Sequence, residues 1–297
     1  MSLRPARLLI RLCLALSAGV AGAAGATAPV AVTVPSLDAP TGAAVVLPGH
    51  WFAATVQPGA TAAPAMVMLH GCGGLYDRRG QLAARYTELA ARLNALGIHA
   101  LATDSLRPRG EKELCTQRTG QRKVSQTQRR RDALGALQWL AQQPGVDASR
   151  LGLLGWSNGG STVLASINRH HREVAAAPVQ PSLAVAFYPG CETELARGFD
   201  ASVPLLMLVG EADDWTPAGP CKTLAAAEPP RGPRPQIEAY AGAFHGFDGT
   251  DAVRLRADVP NGIHPGSGVH VGGNPAAREA AAHRLHTFLR DTWRLSP

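Results

Sequence analysis

Ser157 stands in Gly155-Trp156-Ser157-Asn158-Gly159-Gly160, directly after the apolar run Leu151-Gly152-Leu153-Leu154. A G-x-S-x-G pentapeptide between a buried strand and a helix describes a sharp turn that exposes one hydroxyl. A side chain at Gly155 or Gly159 would collide with so tight a reversal, and the serine itself takes a strained backbone conformation. At the start of the following helix the backbone N–H of Asn158 is free to receive an oxyanion. A serine hydroxyl is a poor nucleophile at neutral pH, so this chemistry also needs a histidine to accept its proton and an acid to orient the imidazole.

Both partners follow in the chain. Leu205 to Val209 reads as a strand, and Asp213 lies in the loop leaving its carboxyl end, where parallel sheets place functional groups. Asp214 is the second candidate for the acid, and either aspartate could instead cap a helix starting near Pro217. After the next strand, Gly242 and Gly246 flank a loop that can carry His245 back toward Ser157. The turn His70-Gly71-Cys72-Gly73-Gly74 follows the Met66 to Leu69 run, and its Cys72 N–H, paired with that of Asn158, would complete an oxyanion hole. No G-x-x-x-x-G-K-[ST] or G-x-G-x-x-G follows a strand, which argues against a phosphate cradle, and H-E-x-x-H is absent. The reading therefore calls for no metal and no cofactor.

These residues need a scaffold that brings several strand ends to one edge. The chain alternates apolar runs with helical periodicity: strands at Ile98 to Thr103, Leu151 to Leu154, Leu183 to Tyr188, Leu205 to Val209 and Ile237 to Tyr240, with helices at Leu82 to Leu96, Thr127 to Gln143, Ser161 to Asn168 and Ala276 to Trp293. Strands that are apolar throughout predict an α/β fold, a mostly parallel sheet with helices on both faces. Short β-branched runs at Val30 to Val34 and Ala44 to Leu47 read as an opening antiparallel pair at the sheet edge. Glu228 to Pro235 and Asp251 to Gly273 read as irregular.

Arg4, Arg7 and Arg11, an apolar run through Leu16, and small residues ending in Ala24-Gly25-Ala26 read as a cleavable signal peptide over residues 1–26, leaving one domain over 27–297. The apolar run is too short for a stable membrane anchor, so the expected location is periplasmic or secreted. Removal of the three arginines lowers the formal charge from +7 to +4. The basic run Arg118 to Arg131 lacks interleaved aromatics, so it reads as a solvated helix start and not as a nucleic-acid surface. Export leaves Cys72, Cys115, Cys191 and Cys221, which allow three pairings. Cys72–Cys115 and Cys191–Cys221 are favoured, because each would join loops gathered at one sheet edge.

Together the His70–Gly74 turn, Asp104-Ser105-Leu106-Arg107-Pro108-Arg109-Gly110, the elbow with its double glycine, Phe187-Tyr188-Pro189-Gly190-Cys191, the Asp213 loop and His245-Gly246-Phe247 resemble the dienelactone hydrolase family, in particular its exported, disulfide-bearing bacterial members. The resemblance spans Pro64 to Leu289 and implies an α/β-hydrolase fold and hydrolysis of small esters or lactones by a nucleophile–His–Asp triad. One departure stands out: founding members carry cysteine at the elbow, where this chain has Ser157. Arg107 and Arg109 are candidates to bind a substrate carboxylate. The expected partner is thus a small-molecule ester or lactone. A peptidase or acyltransferase could use the same triad, and an exported binding protein on this scaffold would have lost the chemistry.

Overall fold

Strands apolar at every position need cover on both faces, and the sheet has it. A computed structural model of the chain describes residues 28–56, 59–228 and 231–295; the expected signal peptide lies outside them. The strands β1 (Val30–Pro35), β2 (Val46–Phe52), β3 (Ala63–Leu69), β4 (His99–Thr103), β5 (Val146–Trp156), β6 (Leu183–Phe187), β7 (Leu205–Gly210) and β8 (Gln236–Tyr240) form one sheet. Their order is β1-β2-β4-β3-β5-β6-β7-β8. β1 and β2 pair antiparallel, as do β2 and β4, and every later pair is parallel. The second strand of the opening pair starts at Val46 and runs on through Gly49 to Phe52, further than its β-branched start suggests.

Alternate residues of the central strands face opposite layers. Val67, Leu153, Ala186 and Met207 pack with α2 (Gln126–Ala141), α3 (Asn158–Ile167) and α6 (Ala218–Ala226). Met68, Leu154, Val185 and Leu208 pack with α1 (Ala84–Ala95) and α7 (Pro275–Trp293). Two short helices, α4 (Arg172–Ala175) and α5 (Glu192–Arg197), fill connections. The start of α2 is set by a capping box: the Gln128 N–H donates to Ser125 Oγ, and the Ser125 N–H donates to the Gln128 side chain at 2.9 Å. Within the stretch read as irregular, β9 (Arg254–Arg256) and β10 (Val269–Val271) form a short antiparallel ladder. At three residues each, they lie below the length at which alternation is readable.

The basic run does not form a solvated helix start. Arg129 and Arg130 are buried. Arg130 and Arg131 both reach Glu173, and Arg131 also reaches Asp38. Cys72–Cys115 and Cys191–Cys221 are bonded, with Cα separations of 5.0 and 5.2 Å. Among the described residues no helix is long and apolar enough to cross a membrane.

Candidate active site

The sheet delivers the elbow at the carboxyl end of β5. Ser157 follows Trp156 at φ 54° and ψ −118°, a conformation that L-residues rarely adopt, and α3 begins at the next residue. Close backbone approach explains both flanking glycines. A Cβ at Gly155 would lie 2.3 Å from the Gly159 carbonyl oxygen, and one at Gly159 would lie 2.1 Å from that of Leu69. The elbow is also tied to its neighbour, since the Ser157 N–H donates to the Phe187 carbonyl at 2.8 Å.

The structure brings Ser157, His245 and Asp213 together from three strand ends. His245 Nε2 lies 2.9 Å from Ser157 Oγ, and Nδ1 lies 2.8 Å from Asp213 Oδ2. All three are buried, with Ser157 the most accessible at 9%. Asp213 Oδ1 accepts the N–H groups of Trp215 and Thr216 at 2.8 and 2.9 Å, so the acid caps its own loop while its second oxygen faces the histidine. The Thr216 hydroxyl lies 3.0 Å from Asp213 Oδ2 and 3.1 Å from His245 Nδ1. Asp214 points elsewhere: its carboxylate accepts the His270 backbone N–H at 2.8 Å and contacts His270 Nδ1 at 2.7 Å.

The His70–Gly74 turn faces the elbow closely enough that a Cβ at Gly71 would lie 3.6 Å from Cβ of Ser157. Among the described residues the N–H groups of Cys72 and Asn158 have no protein acceptor, as oxyanion donors require. Beneath the turn His70 is fully buried, and burial pushes its pKa well below the ordinary imidazole range. Its Nδ1 lies 2.7 Å from the Gly71 carbonyl, and Nε2 accepts the Ser105 N–H at 3.1 Å, which fixes one neutral tautomer.

The two arginines expected at a substrate carboxylate lie in different surroundings. Arg109 is not available for one. Its guanidinium donates to both Asp132 oxygens at 2.8 and 2.9 Å and to Asp38 at 2.9 Å, so it pins the loop after β4 to the segment following β1 and to α2. Arg107 stacks 3.6 Å from the Tyr76 ring centroid and has its side chain 44% exposed. It lines a cavity of about 270 Å³ that also includes Gly73 of the His70–Gly74 turn.

Several further side chains support the site. Tyr188, at φ 36°, sets its ring against His245 at 4.6 Å and donates its hydroxyl to Asp248 at 2.7 Å. Asp248 also accepts from Trp156 Nε1 at 2.9 Å, and Arg85 donates to the Tyr188 hydroxyl at 2.8 Å. Trp215 also packs against the imidazole, at 4.6 Å between ring centroids. Arg129 donates to the His70 carbonyl at 2.7 Å and to the Asn158 side chain. Only Arg129 left a readable signal, because its spacing to Ala133, Ala136 and Leu140 puts it on the buried stripe of α2. Among the described residues no cluster of three or more His, Cys, Asp or Glu could hold a metal ion.

Similar solved structures include a Klebsiella pneumoniae protein provisionally described as a dienelactone hydrolase, 18% identical with a TM-score of 0.60, the match covering 89% of this chain and 99% of that one. Another is Thermogutta terrifontis esterase 2 phosphorylated by paraoxon, also 18% identical with a TM-score of 0.60, covering 90% of this chain and 96% of that one. At this identity the likeness concerns the fold, which is that of the α/β-hydrolases. The family is set by sequence: the dienelactone hydrolase family model matches residues 52–292, most of the strands and every residue of the Ser157 site, and the chain belongs to that family.

Proposed function

We propose that the protein is an exported serine hydrolase of small carboxylic esters or lactones. The observation that carries this reading is the unbroken relay from Asp213 Oδ2 through His245 to Ser157 Oγ, at 2.8 and 2.9 Å, beside two N–H groups that have no protein acceptor among the described residues. Ser157 Oγ attacks the ester carbonyl while His245 Nε2 takes its proton, and Asp213 stabilises the resulting imidazolium. The N–H groups of Cys72 and Asn158 receive the tetrahedral oxyanion. One such donor is worth roughly 10² to 10³ in rate. The intermediate collapses as His245 returns the proton to the leaving alcohol, and the acyl group stays on Ser157. Water, deprotonated by His245, then attacks the acyl-enzyme and releases the acid.

Arg107, 3.8 Å from Asp104 Oδ2 but with its side chain 44% exposed, is the remaining side chain for a substrate carboxylate, since Arg109 is buried in ion pairs with Asp38 and Asp132. Two disulfides suit an oxidising compartment such as the periplasm or the extracellular space. Ser157→Ala removes the nucleophile without disturbing the turn. Hydrolysis of p-nitrophenyl acetate is expected to fall by at least about 10⁴ with an unchanged melting temperature; activity retained in folded Ser157→Ala overturns the assignment.

A further inference from the structure

The two oxyanion donors come from separate segments, the turn after β3 and the start of α3, and one buried side chain joins them. Arg129, on α2, is 1% exposed. Its Nη2 donates to the His70 carbonyl at 2.7 Å, and its Nη1 donates to Oδ1 of Asn158. The His70 carbonyl belongs to the peptide that enters the turn, immediately before the Gly71–Cys72 peptide whose N–H is a donor. Asn158 supplies the other donor from its own backbone. Both acceptors of the guanidinium are therefore within one peptide unit of an oxyanion N–H.

Other features of Arg129 fit poorly with a purely structural role. Its Nε has no partner, and among the described residues no carboxylate is within ion-pair distance of it. Asp132 acts on it through space, but that carboxylate is bonded to Arg109 and Ser36. Burial pulls the guanidinium pKa down to about 10, so it still carries its charge at neutral pH. A buried cation without a carboxylate partner is destabilising, and an apolar side chain of similar shape would avoid that cost. What arginine supplies is a rigid fork whose two arms reach two acceptors at once, which the single ammonium of lysine cannot do.

We propose that Arg129 is a positioning residue for the oxyanion hole, bridging the His70 carbonyl and the Asn158 amide so that the N–H groups of Cys72 and Asn158 converge on one point. The proposal rests on the hydrolase reading above. It predicts a defect in transition-state binding, because substrate makes its strongest contact with these donors only as the oxyanion forms.

The test compares wild type with Arg129→Met, Arg129→Lys and Asn158→Ala, each normalised by fluorophosphonate titration of Ser157. Asn158→Ala keeps the backbone donor and removes only the bridge. For Arg129→Met, kcat on p-nitrophenyl acetate is expected to fall roughly 30-fold with KM within about threefold, since small misplacements of catalytic groups have effects of this order. Affinity for a short-chain trifluoromethyl ketone, which adds Ser157 Oγ to form a stable tetrahedral oxyanion, is expected to fall by the same factor as kcat/KM. Arg129→Lys recovers part of the loss. Combining Arg129→Met with Asn158→Ala is expected to be no worse than Arg129→Met alone, because both changes break one bridge. Folded Arg129→Met with kcat within about twofold of wild type overturns the proposal, as does a fall in kcat with ketone affinity unchanged. If Arg129→Met does not fold, Asn158→Ala carries the same two criteria. A wild type inert to ester, ketone and fluorophosphonate overturns the hydrolase reading and the proposal together, whereas an active wild type with unaffected variants overturns the proposal alone.

Discussion

Two adjacent aspartates illustrate how one residue of spacing decides a role. Asp213 and Asp214 leave the same strand, and each ends beside a histidine: Asp213 Oδ2 at 2.8 Å from His245 Nδ1, Asp214 Oδ2 at 2.7 Å from His270 Nδ1. Only the first histidine has a serine at its other nitrogen. Asp213→Asn is therefore expected to lower kcat by about 10⁴, because the amide favours the wrong imidazole tautomer. Asp214→Asn alters a contact whose histidine side chain is 45% exposed and is expected to leave kcat within a few-fold of wild type. Steady-state hydrolysis of p-nitrophenyl acetate by the two variants decides it, and the reverse ranking refutes the assignment of the acid. Ser157, Asp213 and His245 were legible because their chemistry demands an order along the chain and glycines beside two of them. The supporting roles of Tyr188, Asp248 and Arg85 were not. Their roles arise from pairings such as Arg85 to Tyr188 and Tyr188 to Asp248, each made across a long stretch of chain that no local spacing announces.

Each disulfide fastens an element that carries part of the site. Cys72–Cys115 joins the oxyanion turn to the loop after β4, and the Leu114 N–H also donates to the Cys72 carbonyl at 2.7 Å. Cys191–Cys221 joins the segment after β6 to α6, which follows the Asp213 loop. Closing loops of 43 and 30 residues stabilises by about 4 kcal/mol each in the chain-entropy model. Replacing either pair by alanine is expected to lower Tm by about 10 °C. The effects on rate should differ, because only the first bridge holds a residue whose own N–H is a proposed oxyanion donor. Cys72→Ala with Cys115→Ala is expected to reduce kcat at 20 °C several-fold more than Cys191→Ala with Cys221→Ala; equal losses would show that neither bridge orders the turn. The elements themselves were largely readable, since β3, β4, β6, β7 and the Leu151 to Trp156 half of β5 are buried on both faces and the long helices keep their periodicity. The ladder of β9 and β10 was not, because each strand is only three residues long and pairs across the irregular stretch of chain between them.

At the scale of the whole molecule, four histidines outside the triad are held neutral by the fold. Burial lowers the pKa of His50, His70, His99 and His171, outweighing the opposing influence of Asp104 on His50 and of Glu194 on His171. Two of them accept backbone hydrogen bonds that exist only in the unprotonated form: Ala54 N–H donates to His99 Nδ1 at 2.9 Å, and Ser105 N–H donates to His70 Nε2 at 3.1 Å. In the unfolded chain these imidazoles take up protons near pH 6.5, while in the folded chain they do so only at lower pH. Between those limits the unfolded state binds more protons, so stability is full above about pH 6.5 and falls as pH drops below it. Asp38, whose carboxyl is held below its usual range by Arg109 and Arg131 against its burial, contributes loss only in stronger acid. The histidines alone therefore govern the interval between pH 7 and 5 among these groups. Tm is expected to be lower at pH 5.0 than at pH 7.5 by roughly 5 °C or more, a shift that about 2 kcal/mol produces in a domain of this size. A thermal-shift series across that interval checks it. A Tm that is flat or rises on acidification would mean that the fold does not exclude the imidazolium form, and the neutral His70 beneath the oxyanion turn would lose its physical basis.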